Sequence, residues 1–239
     1  LTLQCLAVEL AHAGRIEEAT LKFEQARHLL VNLVKDSYTR MRRLDLLAVA
    51  AFKAGYVETV NHILTDAMQS VSEVRGSWSG IAVDELVYTL IQCGSLDNAL
   101  EMARQTADAD RLIAVAVALH KAGRRKEASA LFKEARRTAR KLPEEMISLA
   151  EAMWEAGYAT EVQRILRQVE ETIGPVSHSQ LYSPETLINL AAVLSKVGDL
   201  AKAMDTFAEA EQVIFATDEN FGNRGGRLRH LAMRLAEVG

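Results

Sequence analysis

Proline and cysteine are scarce in this chain, and each scarcity excludes something. Three prolines and 13 glycines among 239 residues leave helices few places to break and little room for disorder. Cys5 and Cys93 are the only cysteines. With no Cys-x-x-Cys spacing and no histidine at ligand distance in sequence, they set up neither a disulfide framework nor a zinc site, and a reducing, cytoplasmic setting is expected. No apolar run approaches the roughly 18 residues that a membrane helix needs, so no membrane partner is expected. An excess of positive charge is also lacking: the net charge of −4 is the wrong sign for a general binder of nucleic acid or anionic lipid.

Catalytic signatures are missing as well. The chain contains no Gly-x-x-x-x-Gly-Lys phosphate loop, no His-Glu-x-x-His pair, no calcium loop and no Gly-x-Ser-x-Gly elbow. Its six histidines fall in different segments, with no two spaced three or four residues apart. We therefore expect no cofactor, no metal and no catalytic residue, and a chain that is not an enzyme. Glu151 and Glu155 flank Trp154 on one helical face; such acids are most simply solvated.

What the chain has is repetition. The segment LAVELAHAG, Leu6 to Gly14, returns six times, ending at Gly55, Gly94, Gly123, Gly157, Gly198 and Gly239. The intervals of 41, 39, 29, 34, 41 and 41 residues are those of stacked supersecondary units. In the first copy Leu3, Leu6, Ala7 and Leu10 form an apolar stripe at helical spacing, and Gly14 closes it. A second helical pattern opens with Glu17 and Glu18, acids suited to the positive end of a helix dipole, and carries Ala19, Phe23, Ala26 and Leu30. The same offsets recur as Ala128, Phe132 and Ala135, and as Ala203, Phe207 and Ala210. An apolar content of 49% is ample to fill the core of such a stack.

These positions resemble the tetratricopeptide repeat over essentially the whole chain. The small residue of the first helix is Ala7, Ala48, Val87, Ala116, Ala150, Ala191 and Ala232. Leu3, Leu44, Val83, Leu112, Met146, Leu187 and Leu228 stand where the family has tryptophan, and the closing proline is missing. A HEAT-like array has a period of about 40 that suits the longer intervals, but the glycine and the Ala, Phe, Ala offsets favour the tetratricopeptide type. The resemblance implies an all-α fold, a right-handed α-solenoid of antiparallel helix-turn-helix repeats with about six and a half units, spanning 1–239 as a single domain. The 29-residue step leaves room for only about three turns of second helix before Asp108. Loops are expected over Gly174–Pro184 and Thr217–Gly226, the second containing Arg224, Gly225, Gly226 and Arg227 as a flexible lead into the last helix. Because the last copy ends at its glycine, with an apolar stripe of Leu228, Leu231, Ala232 and Leu235 and no second helix, the chain is expected to belong to a longer polypeptide or to self-associate there.

The resemblance also implies a binding surface. In such arrays the first helices line the concave face through residues ten, six and three before the turn glycine, which here are Gln4, Val8 and Ala11, then Asp45, Val49 and Phe52, then Asp84, Tyr88 and Ile91. Farther on they include Val117, His120, Glu151 and Trp154. The expected function is a protein-protein interaction scaffold that binds a peptide or partner segment in this groove, as the sensor or adaptor region of a larger signalling protein. The alternative is an RNA or polyanion binder working through the basic sector 121–141, where Lys126, Lys133, Arg137 and Arg140 recur near helical spacing.

Overall fold

A computed structural model describes residues 2–139, 142–173, 183–217 and 221–237, and among these the chain is all-helical. The helices are α1 (Thr2–His12), α2 (Ile16–Leu33), α3 (Ser37–Lys53), α4 (Val57–Glu73), α5 (Trp78–Gln92), α6 (Leu96–Thr106), α7 (Ala109–Lys121), α8 (Arg125–Ala139), α9 (Pro143–Glu155), α10 (Ala159–Ile173), α11 (Pro184–Val197), α12 (Leu200–Thr217) and α13 (Phe221–Ala236). They fall into two compact units, Leu1–Thr106 and Ala107–Gly239. Each unit is a short α-solenoid of helical hairpins.

The hairpins form for local reasons. Gly94 takes φ +70° to end α5, a conformation that costs a residue with a Cβ about 1 kcal/mol or more. The five other described copies of this glycine likewise have positive φ. At the helix starts, the carboxylate of Asp36 accepts from the backbone N–H of Thr39 at 2.8 Å. Asp108 does the same for Arg111 at 3.1 Å, and the Ser183 hydroxyl for Thr186 at 3.2 Å, each satisfying a donor the helix leaves open. Pro143 and Pro184 each occupy the first turn of their helix, where a missing N–H does no harm.

In the first unit α1–α2, α3–α4 and α5–α6 pair as hairpins, and α3 packs between α1 and α5. In the second, α7–α8, α9–α10 and α11–α12 pair, and α7, α9, α11 and α13 form the row. The small residue of each first helix is what permits this: Ala7, Ala48, Val87, Ala116, Ala150 and Ala191 are all buried. Ala232 is the exception and is exposed, because α13 packs instead through Leu228, Leu231 and Leu235 onto the α11–α12 core. Phe23, Phe132 and Phe207 are buried in their second helices. Leu64 and Leu166 are buried at the equivalent position of two further copies, and Ala103 in the copy with the short second helix, so the position is always apolar and buried while its volume varies.

A tie between successive hairpins is legible only in three dimensions. The tyrosine after a turn glycine reaches back onto the phenylalanine of the preceding second helix. Tyr56 meets Phe23 with ring centroids 5.4 Å apart, and Tyr158 meets Phe132 edge-on at 5.5 Å. Polar contacts add to it: Arg27 bridges to Asp66 at 2.6 Å, Arg227 to Glu185 at 2.7 Å and Lys202 to Glu170 at 2.8 Å. Such partly exposed pairs are worth only about 0–1 kcal/mol each, so apolar burial carries the stack.

The short second helix before Asp108 is observed as α6, 11 residues long. Of the loop expected over Thr217–Gly226, 218–220 lie outside the described residues, and 221–226 are helix instead: α13 begins at Phe221, and Gly225 and Gly226 lie within it. Packing by Leu228 and Leu231 outweighs the low helix propensity of two glycines, about 1 kcal/mol each. The loop expected over Gly174–Pro184 falls, for 174–182, outside the described residues, as does Gly239.

Candidate functional site

A cavity of about 660 Å³ opens on the first unit, on the face made by α1, α3 and α5. Its lining follows a row at ten, six and two residues before the turn glycine. On α1 the row is Gln4, Val8 and His12, on α3 it is Asp45, Val49 and Lys53, and on α5 it is Tyr88 and Gln92. Four residues of helix advance about 400°, so this row climbs the helix with a drift of only about 40° per step. A residue three before the glycine lies about 100° back from the one two before it. Accordingly the lining takes in Gln4, Val8, Asp45, Val49 and Tyr88 of the expected groove residues and leaves out Ala11, Phe52 and Ile91, each three before its glycine; Asp84, ten before Gly94, is also outside it. Phe52 and Tyr88 are both exposed, at 40% and 63%, but only Tyr88 borders the cavity.

Side chains one helical step over also line the wall and were not anticipated, among them Arg42, Glu85 and Thr89. They fall thirteen, nine and five residues before their glycines, so the repeat register contained the signal. Asp45 is only 7% exposed. One of its oxygens meets the Thr89 hydroxyl, and Oδ1 has no hydrogen-bond partner among the described residues. Burial, and after it the negative charge of Glu85, pushes the Asp45 carboxyl up to about 7, with Thr89 and Arg42 pulling the other way. Asp45 in turn helps burial push the Cys93 thiol up to about 11, so that thiol is an unreactive core group at neutral pH.

Glu85 accepts from the Tyr38 hydroxyl at 3.3 Å through Oε1. Its Oε2 is buried without a hydrogen bond, the Arg42 Nε standing 3.6 Å away. Arg42 is held over the Tyr38 ring at 5.8 Å from the centroid, and Tyr38 stacks on Trp78 at 5.2 Å. The aromatic pair thus places the Arg42 guanidinium beside Glu85 rather than on Asp45.

In the second unit the expected groove residues are placed differently. Val117 and His120 of α7 are half-buried, and the His120 ring sits edge-on to Tyr158 at 5.9 Å. Glu151 accepts from Lys196 at 2.7 Å and from Arg234 at 3.4 Å. Burial raises its pKa, but these two cations together outweigh that and hold it below the usual value. Glu155 shares Lys196 at 3.6 Å, so these acids are tied into the row by ion pairs rather than simply solvated. Trp154 between them is half-buried.

Of the basic residues, Lys126, Lys133 and Arg137 are exposed on α8, and Arg140 lies outside the described residues. Lys133, Arg136 and Arg137 border a dent of about 390 Å³ with Gln168. Arg136 donates to the Gln168 Oε1 at 2.6 and 3.1 Å. No group of three or more metal-ligating side chains occurs among the described residues, and none of their helices is long and apolar enough to cross a membrane.

No protein-family model matches the chain, and no curated protein does. Among solved structures it is similar to the assembly chaperone of RpL4 (Acl4), at 18% identity and a TM-score of 0.38, over 98% of this chain and 96% of that one. It is also similar to BtubC (BKLC) from P. vanneervenii, at 16% identity and 0.43, over 91% and 93%. The all-α architecture stands on the helices themselves.

Proposed function

We propose that this chain is a non-catalytic scaffold of the tetratricopeptide type that binds a protein segment along the α1–α3–α5 face of its first unit. The observation that carries the reading is the cavity itself. Three successive first helices contribute side chains at the same register to one concavity, whose walls combine apolar Val8 and Val49 with the exposed ring of Tyr88. A surface of this kind offers an aromatic anchor and a few directed polar groups, the usual make-up of a peptide-binding face. The second unit supplies a contrast, since Lys196 and Arg234 already occupy its central acid.

The test is a display selection of peptides on the purified chain, followed by affinities for wild type, Tyr88→Ala and the double charge reversal K133E/R137E. Loss of a central aromatic anchor costs about 2 kcal/mol, or roughly 30-fold in Kd, so Tyr88→Ala should weaken the selected peptides to that extent and the charge reversal should not. Peptides indifferent to Tyr88→Ala would overturn the reading. The polyanion alternative rests on the dent between Lys133, Arg136 and Arg137; binding dominated by it would fall steeply with salt and be lost in the charge reversal.

A further inference from the structure

We propose that the carboxylate pair Asp45 and Glu85 is the seat of one basic side chain, lysine or arginine, from a peptide laid across α1, α3 and α5. The proposal rests on the binding face described above and names the chemistry that face selects. Its ground is that Asp45 and Glu85 both line the cavity and that each has one buried oxygen without a hydrogen bond, Asp45 Oδ1 and Glu85 Oε2, the second standing 3.6 Å from the Arg42 Nε. Asp45 is more than nine-tenths buried. Buried acceptors are almost always satisfied in folded proteins, because an unmade hydrogen bond to a buried charge is costly. A buried carboxylate such as Asp45, left without an ion-pair partner at a cavity wall, is best explained by a donor that arrives from outside.

The second unit shows what such a donor does. There the half-buried Glu151 is met by Lys196 and Arg234 from neighbouring helices of the same row. In the first unit no such pair forms at Asp45: Arg42 is held over Tyr38 and beside Glu85. Lys53 lies two turns farther along α3, about 12 Å away by helical rise. The remaining titratable groups of the cavity are His12 on α1 and Tyr88 on α5. The acid end of the groove is therefore open to a partner's cation, and the opposite end carries Lys53 and His12. A guanidinium or ammonium suits the pair better than a hard metal ion, which would require six or more oxygen ligands.

Protonation supplies a signature. Asp45 titrates near 7, and a cation binds its ionised form, so affinity should rise about tenfold from pH 6 to pH 8 and then level. The experiment follows backbone amide shifts of the full chain. The titrants are Nα-acetyl-arginine methylamide, its neutral citrulline counterpart, the diamine putrescine, and a peptide with one arginine flanked by two leucines on each side. Expected are saturable shifts at Asp45, Glu85 and Thr89 with the blocked arginine in the millimolar range, none with citrulline, tighter binding of the peptide, and the stated pH dependence. Asp45→Asn should remove both binding and pH dependence while keeping the fold, and Glu85→Gln should weaken binding at least fivefold.

Equal shifts with citrulline, no saturable shift, or unchanged binding in Asp45→Asn would overturn the carboxylate seat and leave the groove itself untouched. A peptide that binds no more tightly than the blocked arginine or putrescine, with Asp45→Asn still abolishing all three, would overturn the peptide assignment and the groove reading with it.

Discussion

Replacing Asp45 with asparagine should stabilise the first unit at alkaline pH, and the size of the effect follows from its surroundings. Asp45 titrates at its ordinary 3.8 when unfolded and at about 7 in the folded chain, chiefly because burial disfavours its charge. Between these values the folded state holds the proton that the unfolded state has released. Stability from this group therefore falls as pH rises from about 4 to about 7 and stays low above that. A shift of about three units corresponds to about 4 kcal/mol, and relaxation around the charge reduces this to on the order of 2–4 kcal/mol. The asparagine amide would carry no charge and could keep the Thr89 hydrogen bond. The assay is urea unfolding followed by Trp78 fluorescence in a Trp154→Phe background, which confines the signal to the first unit. At pH 4.5 the Asp45→Asn and parent chains should unfold within about 1 kcal/mol of each other. At pH 8.5 the variant's midpoint should lie about 1–2 M higher, given slopes of roughly 1–3 kcal/mol/M. Taking the difference between variant and parent cancels Glu24, Glu151 and Glu185, whose pKa values are lowered and whose stabilisation is lost as pH falls. A variant less stable than its parent at pH 8.5 would refute the reasoning, since it would mean that ionised Asp45 already has a stabilising partner.

Two further predictions concern the backbone. Gly225 and Gly226 sit inside α13 with nothing within 4 Å of where a Cβ would project, so Gly225→Ala and Gly226→Ala should each stabilise α13 by about 0.5–1 kcal/mol; hydrogen-exchange protection at the amides of Leu231 and Leu235 would show it, and unchanged or reduced protection would contradict a helical start at Phe221. Ala107 has φ +47°, a left-handed conformation that disfavours a Cβ, and Ala107→Gly should raise the thermal midpoint by about 1–3 °C; a fall in the midpoint would count against strain at that residue.

The repeat, its helix boundaries and its core were written in local sequence. A turn glycine followed by a register of small and large apolar residues is a statement about one hairpin, and Ala7, Ala19 and Phe23 keep that meaning wherever the hairpin sits. That is why the all-α class and the positions of the buried alanines were legible, and why departures occurred where the local pattern was weakest. Gly225 and Gly226 look like a loop in isolation and become helix once Leu228 and Leu231 have a core to enter. Ala232 has the right letter and is exposed, because α13 packs through Leu228, Leu231 and Leu235.

The polar wall of the cavity could not be read in the same way. Asp45 was legible as a surface acid on a first helix, and sequence alone gives an exposed and a buried aspartate the same letter. Only the packing of α3 against α5 buries it, brings Glu85 and Thr89 beside it, and sets Arg42 over Tyr38 instead of over its carboxylate. The row that borders the cavity is likewise a matter of how each helix is rotated against its neighbours, which is why Tyr88 faces the cavity and Phe52 does not. Sequence determined the hairpin because its interactions span a few residues. Tertiary structure decided the site because charge, burial and orientation there come from segments some forty residues apart, one repeat removed from each other.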